Sequence, residues 1–199
     1  MGGITTLRDF VRGMTRLADA AADQRRLLEA GSALLRDLVA RDDWLPADCA
    51  EAGPTYRQYL LHCDPLERFS VVSFVWGPGQ RTPVHDHTVW GLVGMLRGEE
   101  ISTEVIPGPP GTPMRPGRQD RLRPGEVVRI SPETYDIHVV ENAVPDTASI
   151  SIHVYGGNIG AVARHVFDPA TGERRRFVSG YSNAAVPNLW DRSRETALD

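Results

Sequence analysis

The chain has 199 residues, with 26 acidic and 22 basic side chains and a formal net charge of −4. Its 41% hydrophobic and 24% charged residues are typical of a globular protein and exclude a disordered one. The negative net charge argues against a nucleic-acid partner. The length fits one well-cored domain, so we expect residues 1–199 to form a single domain.

Cysteine usage and hydropathy predict a protein of the cytoplasm without a membrane partner. Cys49 and Cys63 are too few for a disulfide framework and fit a reducing compartment. Asp9, Arg12 and Arg16 interrupt any apolar stretch near the N-terminus that could act as a signal peptide. No run approaches the ~20 apolar residues that are needed to span a bilayer.

Residues 5–41 have the pattern of two helices. Thr6 followed by Asp9 is a capping-box pattern, after which apolar residues recur at helical spacing. Asp23 can begin the second helix, which carries its own apolar positions. We interpret the two as packing helices without chemistry, in an N-terminal helical layer over residues 1–45.

From about Thr55 the sequence changes to short apolar runs separated by Gly and Pro. The runs are Tyr59–Leu61, Phe69–Trp76, Trp90–Leu96, Val127–Ile130, Ile137–Val140 and Ala148–Tyr155. Such a pattern predicts an antiparallel sandwich or barrel, which we place at residues 53–180, before a C-terminal extension at 181–199. Residues 107–117, rich in Pro and Gly, are predicted to be an exposed loop. The predicted fold class is mainly β.

Two of the six histidines, His85 and His87, form a pair with chemical meaning. Residues i and i+2 of a strand point to the same face, so both rings are expected to lie side by side. Two adjacent imidazoles inside a protein need partners and resist double protonation. A shared metal resolves this, because neutral imidazole is a good ligand for iron, zinc, copper or nickel.

The spacing around this pair resembles that of the cupins. Gly79, His85, His87, Gly91 and Gly98 follow the first cupin motif, and Gly125, Pro132, His138 and Asn142 resemble the second, with one extra residue on each side of the proline. The resemblance implies a jelly-roll-like barrel with His138 as the third imidazole. Gly91 replaces the usual cupin Glu ligand, so three neutral ligands would leave a divalent ion open positions for an anionic substrate and dioxygen. A zinc site with a reactive water fits the same ligands.

A second polar set lies in the run that ends at Tyr155. Ser151, His153 and Tyr155 share one face of the predicted strand because strand side chains alternate. The face could be exposed to water, but the apolar residues between them favour a strand that lines the barrel. A hydroxyl–imidazole–phenol chain there could orient and buffer a tyrosine proton.

With both sets in place, residues 56–167 resemble the bacterial thiol dioxygenases, the cysteine dioxygenase group of cupins. The resemblance implies one Fe(2+) held by the three histidines, a small thiol acid bound through sulfur, and insertion of both atoms of O2 to give a sulfinic acid. It also implies that Tyr155 lies near substrate and oxygen, that His153 hydrogen-bonds Tyr155, and that Ser151 orients His153.

Two further positions bear on the substrate. Gln58 stands where mammalian-type cysteine dioxygenases have Arg, and this Gln type resembles 3-mercaptopropionate dioxygenases. In those enzymes a later Arg holds the substrate carboxylate, and Arg164 is the matching residue, although it could also be a surface Arg. Gly91 stands where the mammalian type has a Cys cross-linked to Tyr, so no Cys–Tyr cofactor is expected. The alternatives are an L-cysteine dioxygenase and a metal-binding cupin that acts as a hydrolase, isomerase or sensor.

Overall fold

The computed structural model describes residues 4–20, 23–133 and 136–191. Helices α1 (Ile4–Ala20) and α2 (Gln24–Val39) are followed by a short 3-10 helix at Ala47–Cys49. The strands are β1 (Arg57–Cys63), β2 (Ser70–Trp76), β3 (Val84–His85), β4 (Gly91–Arg97), β5 (Glu100–Ile106), β6 (Arg115–Leu122), β7 (Val127–Ile130), β8 (His138–Asn142), β9 (Ser149–Tyr155), β10 (Arg164–Phe167) and β11 (Arg174–Phe177).

The two predicted helices are present, and one of their two predicted starts is correct. The Asp23 side chain caps α2 by accepting a 2.8 Å hydrogen bond from the Arg26 backbone N–H. The capping box at Thr6 is wrong, because α1 begins at Ile4 and Thr6 lies inside it. Residues 1–3 and 21–22 of the predicted helical layer and 192–199 of the predicted extension lie outside the described residues. Neither helix in the described part is long and apolar enough to cross a membrane.

The strands form two antiparallel sheets. The five-stranded sheet has the order β1-β2-β9-β4-β7, and the six-stranded sheet has the order β11-β10-β3-β8-β5-β6. Neighbouring strands within each sheet are often not consecutive in the sequence, as in a jelly roll, in which connections cross between the two sheets. The fold is therefore the mainly β cupin barrel with two N-terminal helices that the sequence predicted.

The central strands of the five-stranded sheet, β2, β9 and β4, are buried on both faces because the helices cover its outer side. Ile150, Ile152 and Val154 of β9 pack in one apolar cluster with Leu7 and Leu35 of the helices. The alternate residues of β9 face the barrel interior, and all seven residues of the strand are buried. The polar face of this strand is thus not exposed to water. It lines the barrel.

Five strands were not among the predicted apolar runs. They are β3, β5, β6, β10 and β11. Most residues of β6 and β11 are exposed, so their sequences contain no apolar run. The predicted loop at 107–117 is too long at its end, because β6 begins at Arg115 and pairs with β5 from there.

Candidate metal centre

The three predicted ligands meet inside the barrel. His85 of β3 lies directly opposite His138 of β8 in the antiparallel register. His87 completes the group, and the ligand atoms of the three side chains all lie within 4.8 Å of one another. The three ring centroids are 4.7 to 4.8 Å apart, and all three residues are buried. One ion can therefore contact all three rings.

His87 reaches the centre by a different route from the predicted one. Strand β3 ends at His85, so alternation along a strand does not place the two rings on one face. Instead Asp136 fixes His87, whose backbone N–H donates to Asp136 Oδ1 at 2.9 Å. Thr88, the next residue, has φ 59°, which turns the chain sharply and is unusual for a β-branched residue. The position of His87 therefore depends on a contact 49 residues away in sequence.

Each ligand ring has a hydrogen-bond partner at Nδ1. The partners are Pro83 O at 3.1 Å from His85, Asp136 O at 3.0 Å from His87 and Ser102 Oγ at 2.8 Å from His138. The two carbonyl oxygens can only accept, so Nδ1 of His85 and of His87 carries the proton and Nε2 is the nitrogen that these rings can present to a metal, whereas the Ser102 hydroxyl can either accept from Nδ1 of His138 or donate to it. Partners of this kind fix the ring orientation and tautomer of metal ligands. None of the three was predicted from the sequence.

The electrostatics of the site suit a metal that prefers neutral nitrogen. Burial, reinforced by the neighbouring histidines, lowers the pKa of His85 and of His138 well below the usual range, so both rings are neutral at pH 7. Of the described residues, only these three histidines form a metal-binding group, and no carboxylate belongs to it. This donor set fits iron or zinc and does not fit calcium or magnesium.

A hydrogen-bonded chain approaches the centre along β9. Ser151 Oγ lies 2.8 Å from His153 Nε2, and His153 Nδ1 lies 2.8 Å from the Tyr155 hydroxyl. The Tyr155 ring stacks on that of His87 with a centroid distance of 5.7 Å. Burial raises the pKa of Tyr155 above its usual value and lowers that of His153 well below it. Both are therefore neutral, and the phenol keeps its proton next to the candidate metal ligand His87.

Because Gly91 has no side chain, the Tyr155 ring can pack directly against its backbone. The two residues are cross-strand partners, and a Cβ at position 91 would lie 3.2 Å from Tyr155 Cδ1 and 3.3 Å from Cε1. A side chain at this position would therefore require the tyrosine ring to shift by a few tenths of an ångström. The absence of a side chain at position 91 therefore both removes the usual cupin carboxylate and leaves space for the Tyr155 ring.

Arg164 is a buried residue, so the interpretation as a surface Arg does not hold. Only 3% of it is exposed, and its Nη2 donates to Ser179 Oγ at 2.8 Å. Its Nε is buried and has no hydrogen-bond partner. Arg164 lies two residues before Val166 on β10, and Val166 is the cross-strand partner of His85. Burial has the largest effect on the pKa of His85 and of Tyr155, and the positive charge of Arg164 acts to lower both pKa values. A buried cation with an unused donor is suited to an anionic ligand.

Gln58 is linked to Arg164 through Ser179. Its side-chain Nε2 donates to Ser179 Oγ at 3.1 Å and to Gly180 O at 2.9 Å, so both amide hydrogens are used. The segment around Ser179 is tied to β1 further along, where the Ser182 N–H donates to Gln58 O at 2.7 Å. Ser179 was missed in the sequence because a single serine in a polar segment carries no pattern. Whether Gln58 contributes to substrate binding stays a prediction.

The remaining polar residues near the ligands have structural partners. The Nδ1 of His165 lies 2.8 Å from Asp86 Oδ2, and the His165 backbone N–H donates to Asp86 Oδ1 at 2.7 Å. These bonds anchor Asp86, which lies between His85 and His87 in the sequence, to strand β10. His62 lies in β1, where its ring contacts that of Phe69 at a centroid distance of 5.9 Å. Neither histidine belongs to the metal-binding group.

Comparison with known proteins gives one family match and a set of similar folds. The family model described as cysteine dioxygenase type I matches residues 63–169, more than half of the chain. A protein from Thermus thermophilus is 18% identical with a TM-score of 0.43, and the match covers 55% of this chain and 91% of that one. A cupin superfamily protein from Desulfitobacterium hafniense is 15% identical with a TM-score of 0.43, covering 59% and 94%. A cupin 2 domain-containing protein from Halorhodospira halophila is 17% identical with a TM-score of 0.41, covering 79% and 86%.

Proposed function

The chain belongs to the cysteine dioxygenase type I family, and from this premise we propose that it is an Fe(2+)-dependent thiol dioxygenase acting on 3-mercaptopropionate. The reaction adds both atoms of O2 to the sulfur, so that R–SH and O2 give R–SO2H. The single observation that carries the proposal is the carboxylate-free group of His85, His87 and His138 with the Tyr155 hydroxyl chain beside it. A cytoplasmic role in sulfur metabolism would follow, since thiols stay reduced there.

The residues around the centre have distinct tasks in this reaction. A bound iron(II) would supply the redox-active centre at which a thiolate and dioxygen are brought together. His85, His87 and His138 would hold it through Nε2, with Nδ1 of each ring hydrogen-bonded to its oxygen partner. The Tyr155 hydroxyl holds a proton at Oη, in a position to offer it to oxygen as charge develops there. Burial of these groups excludes bulk water from the reacting atoms.

The choice of substrate is proposed from the charged side chains near the centre that could bind it. Arg164 is the buried cation near the centre, and its guanidinium, which is not fully hydrogen-bonded within the protein, would bind the carboxylate of the substrate. Gln58 is uncharged and its amide hydrogens are engaged with Ser179 and Gly180, so we propose that it acts by holding Ser179 and thereby Arg164. One cation matches a monocarboxylate thiol such as 3-mercaptopropionate. L-Cysteine is the alternative substrate, and mercaptosuccinate is a third.

The test uses protein purified without oxygen and loaded with iron(II). Oxygen uptake is measured with 3-mercaptopropionate, L-cysteine and mercaptosuccinate in turn, and the sulfinate product is quantified. We expect the first thiol to give the highest kcat/KM, with one O2 consumed per thiol. His138→Ala should abolish both metal binding and oxygen uptake. His62→Ala is the matched control, because its ring lies in β1 outside the metal group, and it should keep both.

The competing proposal is a cupin that binds zinc and acts as a hydrolase, isomerase or sensor. Divalent-ion affinity generally favours zinc over iron, so three histidines alone do not choose between the two. Protein that retains zinc on anaerobic purification, and that consumes no oxygen with any thiol after iron loading, would contradict the dioxygenase proposal. A preference for L-cysteine would contradict only the choice of substrate.

A further inference from the structure

A buried carboxyl group lies at the far end of the hydrogen-bonded chain on β9. Glu100 is the first residue of β5, and only 1% of it is exposed. Its carboxyl group interacts with the Ser151 hydroxyl, which acts to lower its pKa, and its Oε2 oxygen is buried without a hydrogen-bond partner. The chain therefore has four members, from Glu100 through Ser151 and His153 to Tyr155. The function proposed above uses only the last three.

Among the described residues, no cation pairs with Glu100. Its cross-strand neighbours, Leu122 in β6 and Asn142 in β8, are uncharged. Trp76 of β2 and Met95 of β4, which lie next to Ser151, are not titratable. The titratable side chains of β6 are Arg115, Arg118, Asp120 and Arg121, of which Arg118 pairs with Asp120 and Arg121 with Glu99. Strand β8 carries His138 and Glu141, β5 itself carries Glu104, and β9 carries His153 and Tyr155. Burial raises the pKa of Glu100 to about 7, although the interaction with Ser151 acts in the opposite direction and lowers it. Both of its protonation states are therefore accessible near neutral pH.

The protonation state of Glu100 determines which way the hydrogens of the chain point. Ser151 has one proton to donate, and its Oγ already accepts a 3.2 Å hydrogen bond from Trp76 Nε1. When Glu100 is protonated it donates to Ser151, which then donates to Nε2 of His153. His153 in turn donates from Nδ1 to the tyrosine oxygen, and the phenol proton is directed away from the chain, toward the centre.

Ionised Glu100 gives the opposite arrangement. The carboxylate can only accept, so Ser151 donates to it and must accept from Nε2–H of His153. Nδ1 of His153 is then unprotonated and accepts the phenol proton of Tyr155. The two arrangements differ by one proton at Glu100 and by the tautomer of His153. Only the first leaves the Tyr155 proton available to the reacting oxygen.

We propose that Glu100 is a positioning residue that sets the direction of the Ser151–His153–Tyr155 chain, and that the dioxygenase is active with the Glu100 carboxyl protonated. The proton gained or lost by Glu100 comes from solvent, and the hydroxyl and imidazole hydrogens rearrange with it. Glu100 touches neither substrate nor metal. The effect on catalysis depends on the thiol dioxygenase function proposed above, whereas the effect on the His153 tautomer does not.

The first measurement is independent of activity. The ¹⁵N chemical shifts of His153 are recorded in the zinc-loaded protein between pH 5.5 and 8.5. In the wild type we expect Nδ1–H at low pH and Nε2–H at high pH, with the change centred near the pKa of Glu100, about 7. Glu100→Gln cannot ionise, and its amide can donate to Ser151, so His153 should remain Nδ1–H throughout. A wild-type tautomer that does not change with pH, or a change that persists in Glu100→Gln, would overturn the proposal.

The second measurement is the pH profile of kcat with iron and 3-mercaptopropionate. A group with a pKa near 7 is about 90% protonated at pH 6 and about 10% at pH 8, so wild-type kcat should fall roughly nine-fold across that range. The corresponding fall should be absent in Glu100→Gln. Glu104→Gln, on the same strand, is the matched control and should keep the wild-type profile. If the His153 tautomer changes with pH but the protein oxidises no thiol, the proposed function is wrong. The role of Glu100 in orienting the hydrogen-bonded chain is then still supported.

Discussion

Replacing Arg164 by Met tests the proposed carboxylate site most directly. Met retains much of the apolar stem and removes the guanidinium, so the change deletes a buried charge without opening a large cavity. Charge-assisted hydrogen bonds to a carboxylate are worth ~2–4 kcal/mol in a buried site. At about 1.4 kcal/mol for each factor of ten, kcat/KM for 3-mercaptopropionate should fall by roughly 30- to 700-fold.

The assay compares two thiols of similar length, one with a carboxylate and one without. Oxygen uptake by the iron-loaded variant is measured with 3-mercaptopropionate and with 1-propanethiol. We expect the loss only for the acid, because the neutral thiol makes no bond to Arg164. The variant loses the hydrogen bond from Nη2 to Ser179 and the contact with the Phe177 ring, but it also removes a buried guanidinium whose Nε has no hydrogen-bond partner, so we expect it to fold. Arg176→Met, on the exposed face of β11, is the control for loss of a surface charge.

Two results would refute this account of Arg164. Equal losses of kcat/KM for the acid and the neutral thiol would mean that the residue supports the barrel and does not recognise the carboxylate. Unchanged kcat/KM for the acid would remove Arg164 from substrate binding altogether. In either case, the contacts with Ser179 and the Phe177 ring would be the interactions that stabilise the buried guanidinium.

Three further changes have expected outcomes. Ser102→Ala removes the Nδ1 partner of His138 and should weaken metal binding by about 10- to 100-fold, measured by chelator competition; unchanged affinity would mean that the hydroxyl does not orient the ring. Tyr155→Phe removes the phenol proton and should lower kcat by about 100-fold or more with a much smaller change in KM; a change in KM alone would assign the hydroxyl to binding. Hydrogen bonds from Arg68 hold the pKa of Asp64 at about 2, below the ordinary 3.8, so the carboxylate stabilises the fold above pH ~4 and loses this effect as pH falls toward 2. Asp64→Asn should therefore lower the free energy of unfolding in urea by about 2 kcal/mol at pH 7, and a difference that persists at pH 2 would contradict the assignment.

Local pattern in the sequence was sufficient for much of the fold. The start of α2 at Asp23 follows from a capping side chain that acts within its own turn. The alternation in Ser151, His153 and Tyr155 predicted one shared face because the strand period is a local property of the backbone. The exposed strands β6 and β11 were missed for the converse reason, since a strand that buries little has no apolar run to reveal it.

The sequence by itself predicted the three histidines that the structure brings together and the side chains that share a face of β9, because the spacing of histidines and the strand period are visible along one chain. Only the tertiary structure decided what surrounds them. Asp136 at His87, Ser179 between Gln58 and Arg164, and Glu100 at Ser151 are contacts across strands, between residues far apart in the chain. Strand register and the closure of the barrel bring these groups together, and neither is recorded in the local order of side chains.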